Sequence, residues 1–235
     1  MNSFQKKSRD YLVIIPTYNE EDTIEELVAR ALKYADVCVV DDCSKDRTPD
    51  ILEKIKGIHV ITHQRNTHIP GALMDGMRYA LAQGYPYAIA MDAGFSHNPD
   101  EIPRFISHPH SDVAIGTRTV KVDVPLYRKG LSLFGNIIYN ISLGFPRSLF
   151  KKHYYRDISS GYRRYSAKAM RLLTGKKLES RSFDVLFETV MYAYQNDLAI
   201  SEVPITYKFT NSSLKTKVVI DCLKMCLKVI CRPRK

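Results

Sequence analysis

Several acidic side chains and arginines stand where a chain can do phosphate chemistry. Asp41 and Asp42 close one apolar run, in DVCVVDDCSKDRTPD, and Asp92 closes another, in AIAMDAGFSHNPD. Tyr18, Asn19 and Glu20 follow a third run that Pro16 stops, in YLVIIPTYNEE, and Arg65 and Arg118 follow two more. A carboxylate pair at the end of a strand can accept hydrogen bonds from the base or ribose of a nucleotide. A single carboxylate there can hold a divalent cation against a diphosphate. Arginines supply the fork of donors that meets a phosphate. Paired aspartates serve turns and helix caps equally well, so Asp41 and Asp42 alone decide nothing. Neither GxGxxG after the first strand nor GxxxxGK[ST] occurs, which removes the dinucleotide fingerprint and the P-loop.

The elements that must position these residues can be read from hydrophobic period. Tyr11 to Ile15 forms a buried strand, and Ile24, Leu27, Val28, Ala31, Leu32 and Ala35 then fall at helical spacing, with Thr23 and Glu26 placed as a capping box. A second strand ends at Asp41 and Asp42, and Thr48 with Pro49 opens a second helix. A strand over 58–62, a helix over 71–82, a strand over 87–91, a helix from Pro99 and a strand over 112–116 continue the alternation. Such alternation predicts an α/β fold, a mostly parallel sheet with helices on both faces and ligands beyond the carboxyl ends of its strands.

The pattern changes after Gly116. LYRKGLSLFGNIIYNISLGF is long and mostly apolar, with its Leu131 to Phe145 part suited either to a core helix or to a membrane interface. DISSGYRRYS turns into a short strand, RSFDVLFETVMYAYQND is helical, and AISEVPITYKF reads as paired short strands. From Leu214, Val219, Cys222, Leu223, Cys226, Leu227 and Ile230 share one helical face opposite Lys217, Asp221, Lys224 and Lys228. The expected organisation is one domain over 1–210 and a basic amphipathic C-terminal helix and tail over 211–235.

Charge is divided along the chain. Residues 1–144 carry 16 Lys and Arg against 18 Asp and Glu, whereas residues 145–235 carry 19 against 7. A polyanionic partner for the second part follows, either nucleic acid or an anionic membrane surface. No nucleic-acid recognition motif accompanies the charge, which favours the membrane. The five cysteines are odd in number and form no CxxC pair, so neither a disulfide framework nor a zinc site is indicated, and a reducing cytoplasm is the expected setting. No window reaches the roughly 18 apolar residues of a membrane span.

In order, IIPTYNEE, VVDDCSKDRTPDIL, MDAGFSHNPDEIP, AIGTR with YRKGLSLFGN, DISSGYRRY and ISEVPITY resemble the family 2 glycosyltransferases of the GT-A fold, a Rossmann-like nucleotide-diphospho-sugar transferase fold. Within that family the resemblance is to the dolichyl- and polyprenyl-phosphate sugar synthases, and it covers about residues 11–210. It implies that Pro16, Tyr18, Asn19, Glu20 and Asp41, with Asp42 and Arg65 beside them, frame the nucleotide-sugar donor. It implies that Asp92 is the first acid of a DxD-type motif for Mg²⁺ or Mn²⁺, with Ser96 assisting. Arg118 and Arg128 match the arginines that bind the phosphate of a polyprenyl-phosphate acceptor, and Arg163 stands on the same expected side.

The implied reaction moves one hexose from a GDP-mannose or UDP-glucose type of donor to a lipid phosphate, by inverting displacement on the cytoplasmic face of a membrane. The chain is held there either by its own interfacial helix or by a membrane-anchoring subunit. Two features depart from the family pattern: Gly94 stands in place of the second acid, and His68 and Pro70 stand in place of glycines near the donor. His68 and His97 read as solvated loop histidines with no catalytic part. Two other functions remain open on sequence: transfer to a glycan or lipid-linked saccharide, and a non-catalytic scaffold that binds nucleotide or membrane.

Overall fold

The computed structural model describes residues 8–144, 154–208 and Lys224. Strand β1 (Ser8–Thr17) lies in the middle of three parallel neighbours because Tyr11 to Ile15 are buried on both faces. It pairs with β2 (Ala35–Asp41) on one side and β4 (Tyr87–Ala90) on the other, while β3 (His59–Thr62) extends the sheet beyond β2. Thr17 registers with Asp41, and Ile14 with Ala90. That register brings the loops after β1, β2 and β4 to one rim of the sheet.

The whole sheet has seven strands in the order β3-β2-β1-β4-β6-β5-β7. Strand β6 (Arg163–Ser166) runs antiparallel between β4 and β5 (Val113–Val122), and β7 (Ile200–Lys208) runs parallel to β5 at the edge. The expected mostly parallel sheet therefore contains one reversed strand. The expected pair of short strands at 199–209 is instead one nine-residue strand, and its edge position accommodates Pro204.

Alternation along the central strands feeds two cores. Val13, Ile15, Val37 and Val39 pack with α1 (Ile24–Ala31) and α4 (Ile102–Ser107), with α2 (Thr48–Leu52) beside them. Leu12, Ile14, Cys38 and Val40 pack with α3 (His68–Ala82), α6 (Ala167–Thr174) and α7 (Val185–Gln195). Helix α5 (Leu126–Gly144) joins this second layer, with Tyr139 stacked on Phe187 at 4.6 Å between centroids.

The face of α5 carrying Asn136, Tyr139, Asn140 and Leu143 is buried, whereas Leu133, Phe134, Ile137 and Ile141 are exposed at 60, 62, 40 and 48 %. The buried face bears out the core-helix reading of this stretch, and the opposite face leaves large apolar side chains in the open. Among the described residues no helix is long and apolar enough to cross a membrane. The expected C-terminal helix lies outside the described residues apart from Lys224, which is helical.

Candidate active site

The loops after β1 and β2 are zipped together. Asn19 N donates to Ser44 Oγ (2.9 Å), Lys45 N donates to Asn19 Oδ1 (2.7 Å), and Glu20 N donates to Thr48 Oγ1 (2.9 Å). Asn19 and Cys43 take φ of 55° and 67°, which turns both loops sharply at the rim; asparagine adopts this conformation more readily than most residues. Buried Asp41 accepts from Ser44 N through Oδ1 (3.1 Å), and Tyr18 stands 47 % exposed above the rim, with Pro16 partly buried beneath it. Pro16, Tyr18, Asn19, Glu20 and Asp41 are therefore gathered at one place, as a nucleotide site requires.

Asp42 belongs elsewhere. Its side chain is buried, and its Oδ1 accepts from Thr67 N (2.7 Å) and Thr67 Oγ1 (2.8 Å) and lies 2.7 Å from His63 Nδ1. The expectation that Asp42 meets the nucleotide is corrected: its carboxylate ties down the 63–67 loop that leads into α3. Arg65 lies exposed on that loop, and α3 starts at His68, one turn earlier than expected. His68 is exposed with φ 60°, a conformation that glycine takes without strain.

Asp92 lies just beyond β4 with its side chain half exposed. Asp92 N donates to His97 Nδ1 at 3.1 Å, and the same nitrogen is 3.6 Å from Asp92 Oδ2. His97 is 2 % exposed, stacked on Tyr162 (5.0 Å) and bridged through its backbone to Tyr207. The expectation of a solvated histidine is therefore corrected. Burial pushes its pKa down, the Asp92 charge opposes that shift, and Arg118 adds to it, so the neutral ring that accepts from Asp92 is favoured.

Thr23 was expected to cap α1, but its side chain makes no capping bond. Its hydroxyl lies 3.0 Å from Glu20 Oε2 and 3.2 Å from Ala93 O, so it joins the β1 loop to the β4 loop. Burial raises the pKa of Glu20; the Thr23 bond opposes this, and the charges of Asp92 and Asp46 add to it.

The residues present fit a divalent cation. Asp92 and Glu20 offer hard oxygen donors, and among the described residues neither is ion-paired with a lysine or arginine. A Cβ on Gly161 would lie 3.1 Å from Asp92 Oδ1, so the absence of a side chain there keeps the carboxylate's space open. Among the described residues no cluster of three or more His, Cys, Asp or Glu could hold a metal by itself, so a cation here needs the oxygens of a diphosphate as well. Ser96 is partly buried on the same loop.

On the other side of β6, Arg118 is held by a bidentate pair with Asp157: Nε to Oδ2 and Nη2 to Oδ1, each 2.6 Å. Nη2 also meets Ser159 Oγ (2.6 Å), and the guanidinium lies 5.1 Å from the centroid of Tyr207. Burial would raise the Asp157 carboxyl, but the guanidinium outweighs it and holds the pKa below the usual carboxylate range. Two asparagines of α5 fix this arrangement. Asn136 Nδ2 donates to Tyr155 O (2.9 Å) and Arg156 O (3.0 Å), its Oδ1 accepts from Ile158 N (3.0 Å), and Asn140 brackets Tyr155 with bonds of 2.9 and 2.8 Å.

Arg118 lines a cavity of about 230 Å³ together with Lys121, Arg156, Ser132 and Leu133. Three cations, the Asp157 carboxylate and Leu133 from the exposed apolar face of α5 thus share one mouth. Arg128 lies in the first turn of α5, and its side chain falls outside the described residues, as does the TNSSLK segment.

Arg163 does not join this group. Its guanidinium is fully buried and donates to Ser160 O (2.7 Å), Leu186 O (2.7 Å), Thr189 Oγ1 (2.9 Å) and Ile158 O. Arg164, also buried, donates to Phe105 O (2.7 Å), His108 O (2.9 Å) and Pro109 O (2.8 Å). The expected acceptor-phosphate role of Arg163 is corrected, because carbonyls satisfy it inside the fold. The residues that the sequence did not single out are Lys121, Asn136, Asn140 and Arg156. For the asparagines the signal was present: two amides four apart in an apolar helix need buried polar partners.

Residues 12–171 match the model of Glycosyl transferase family 2. An undecaprenyl-phosphate mannosyltransferase of Micrococcus luteus is 32% identical over 208 residues, which cover 83% of this chain and 82% of that protein. A UDP-N-acetylglucosamine--dolichyl-phosphate N-acetylglucosaminyltransferase of Methanococcus voltae is 28% identical over 223 residues, covering 86% and 87%. Among solved structures, the mannosyltransferase PcManGT of Pyrobaculum calidifontis, in complex with GDP-Man and Mn²⁺, superposes with a TM-score of 0.57 at 13% identity. That match covers 96% of this chain and 66% of the other, and it shows the shared GT-A fold.

Proposed function

The chain belongs to glycosyl transferase family 2, and from that premise we propose that it moves one hexose from a nucleotide-diphosphate sugar to a polyprenyl phosphate by direct, inverting displacement at a membrane surface. The observation that carries this reading is the cavity at Arg118. It offers three cationic side chains beside the exposed apolar face of α5, which suits an anionic head on a long apolar chain. Relatives named for undecaprenyl and dolichyl phosphate support the same acceptor class.

The residues divide the work. Pro16, Tyr18, Asn19 and Asp41 seat the nucleotide, with Arg65 at its edge. Arg118, with Arg128, holds the acceptor phosphate, whose oxygen is already anionic at neutral pH and needs no strong base to attack the anomeric carbon. Asp157 fixes the guanidinium plane, so the nucleophile is aimed before it binds. Asp92, with Ser96 near, would hold a Mg²⁺ or Mn²⁺ ion, which would supply electrostatic stabilisation for the charge on the leaving diphosphate. Leu133, Phe134, Ile137 and Ile141 would enter the apolar edge of a bilayer on its cytoplasmic face, with the basic 211–235 segment or a membrane-anchoring subunit adding to the hold.

The test is transfer of labelled sugar from a panel of GDP- and UDP-sugars into an organic-extractable product. Polyprenyl phosphate in liposomes serves as acceptor, with Mn²⁺, Mg²⁺ or EDTA. Product from one donor, lost with EDTA, is the expected result. Nucleotide binding without lipid product from any donor refutes the acceptor class, and absence of nucleotide binding refutes the donor reading.

A further inference from the structure

Gly94 stands where the family resemblance calls for a second acid, and the structure shows which group occupies the space beside it. A Cβ built on Gly94 would have one neighbouring heavy atom within 4 Å, Glu20 Oε2 at 3.9 Å. A carboxylate projecting from position 94 would extend toward the carboxylate of Glu20. Glu20 is not swinging freely there: Thr23 Oγ1 lies 3.0 Å from its Oε2 and 3.2 Å from Ala93 O, within the loop that carries Asp92. The Glu20 backbone is fixed as well, through Glu20 N to Thr48 Oγ1 at 2.9 Å. One acid has thus been lost from the β4 loop, while another is anchored to that loop from β1.

We propose that Glu20 supplies the second carboxylate of the cation site, so that a divalent ion bound with the donor diphosphate is shared by Asp92 and Glu20 across two loops. This gives Glu20 a role different from the nucleotide contact that the resemblance implies, and it rests on the reading of the rim as a nucleotide-sugar site. It also gives Thr23 a part, since its hydroxyl sets where the carboxylate stands. Asp92 and Glu20 leave most of the coordination shell to diphosphate oxygens and water, as Mg²⁺ and Mn²⁺ sites commonly do.

The experiment measures Mn²⁺ affinity by the loss of the free-ion paramagnetic signal, in the presence of GDP and separately of UDP. It compares the unaltered protein, Glu20→Gln, Asp92→Asn, Glu20→Ala and Glu20→Ala with Gly94→Asp. Nucleotide affinity is measured in parallel in EDTA. Glu20→Gln should weaken nucleotide-dependent Mn²⁺ binding about tenfold or more and leave nucleotide affinity in EDTA unchanged. Gly94→Asp should restore Mn²⁺ binding to the Glu20→Ala protein by returning an acid to the β4 loop.

Unchanged Mn²⁺ affinity in Glu20→Gln, with loss in Asp92→Asn, overturns the assignment of Glu20 and leaves the donor reading standing. An equal loss of nucleotide affinity in EDTA overturns it too, by making Glu20 a nucleotide contact. If neither nucleotide raises Mn²⁺ affinity in the unaltered protein, the donor reading itself fails.

Discussion

Replacing Asp157 by alanine removes the carboxylate that two guanidinium nitrogens of Arg118 meet at 2.6 Å each, in a pair whose side chains are 16 % and 6 % exposed. Among the described residues the other direct partners of the guanidinium are Ser159 Oγ and the Tyr207 ring, neither of which carries a charge, while the Asp92 carboxylate acts on it without an ion pair. Breaking a buried ion pair on one side costs about 3–5 kcal/mol, because the other charge is left uncompensated. The cavity beside Arg118 is open to solvent that can partly resolvate it, so the lower end, about 3 kcal/mol, is expected.

Urea unfolding of the wild type, Asp157→Ala, Arg118→Ala and the double variant should therefore give a coupling energy of about 2–3 kcal/mol. The sign of the pH dependence follows from the depressed pKa of Asp157. A carboxyl lowered on folding contributes stability that is present above its unfolded pKa of about 3.9 and is lost as pH falls through the lower folded value. The difference between wild type and Asp157→Ala should stay constant from about pH 8 to pH 5 and shrink below pH 4. Coupling under about 0.5 kcal/mol, or a difference that shrinks already at pH 6, refutes the view that this pair holds the acceptor arginine in place.

Asn136→Ala should lower stability by about 2–3 kcal/mol, since it leaves Ile158 N and Arg156 O without their partner while Tyr155 O keeps its bond from Asn140 Nδ2; it should also raise the KM for lipid phosphate more than it lowers kcat, by steady-state kinetics. Phe134→Glu together with Ile137→Glu should weaken sedimentation with anionic liposomes about tenfold or more while transfer to a short, water-soluble prenyl phosphate is retained. Arg163→Lys should destabilise the protein by about 2–4 kcal/mol in thermal or urea unfolding, because an ammonium cannot reach four carbonyl and hydroxyl oxygens at once. Full stability with selective loss of acceptor binding in that variant would return Arg163 to the acceptor site.

Much of the rim was legible because each apolar run stops at a polar residue. In a parallel sheet that stop is the carboxyl end of a strand, so Asn19, Asp41 and Asp92 could be gathered without coordinates. What a polar residue does after the stop was harder to read. Asp41 and Asp42 are adjacent and identical in type, yet their side chains leave the chain in opposite directions, and only the position of His63 and Thr67 shows which one is consumed by structure. RRYS read as a short strand whose Arg163 faces the acceptor phosphate. Its burial depends on carbonyls at 105, 108, 158 and 186 that converge only in three dimensions. Thr23 satisfied a local capping pattern, and a contact 70 residues away took its hydroxyl instead.

The reversed strand explains how the two halves of the site can work on one reaction. Asp92 follows β4 and Arg118 lies in β5, and β6 alone separates those strands, so they stand two strand spacings apart, about 10 Å across the sheet. That separation leaves room for a leaving diphosphate at one side, an entering phosphate at the other and a sugar carbon between them, the arrangement an in-line displacement needs. The chain must enter β6 through this gap, and it does so at Gly161, whose missing side chain keeps it clear of Asp92 Oδ1. Beside it His97 packs on Tyr162 and pairs with Tyr207, whose ring faces Arg118. Asp92 and Arg118 are thus braced against the same aromatic pair, so a shift of β6 would displace both together and keep their spacing.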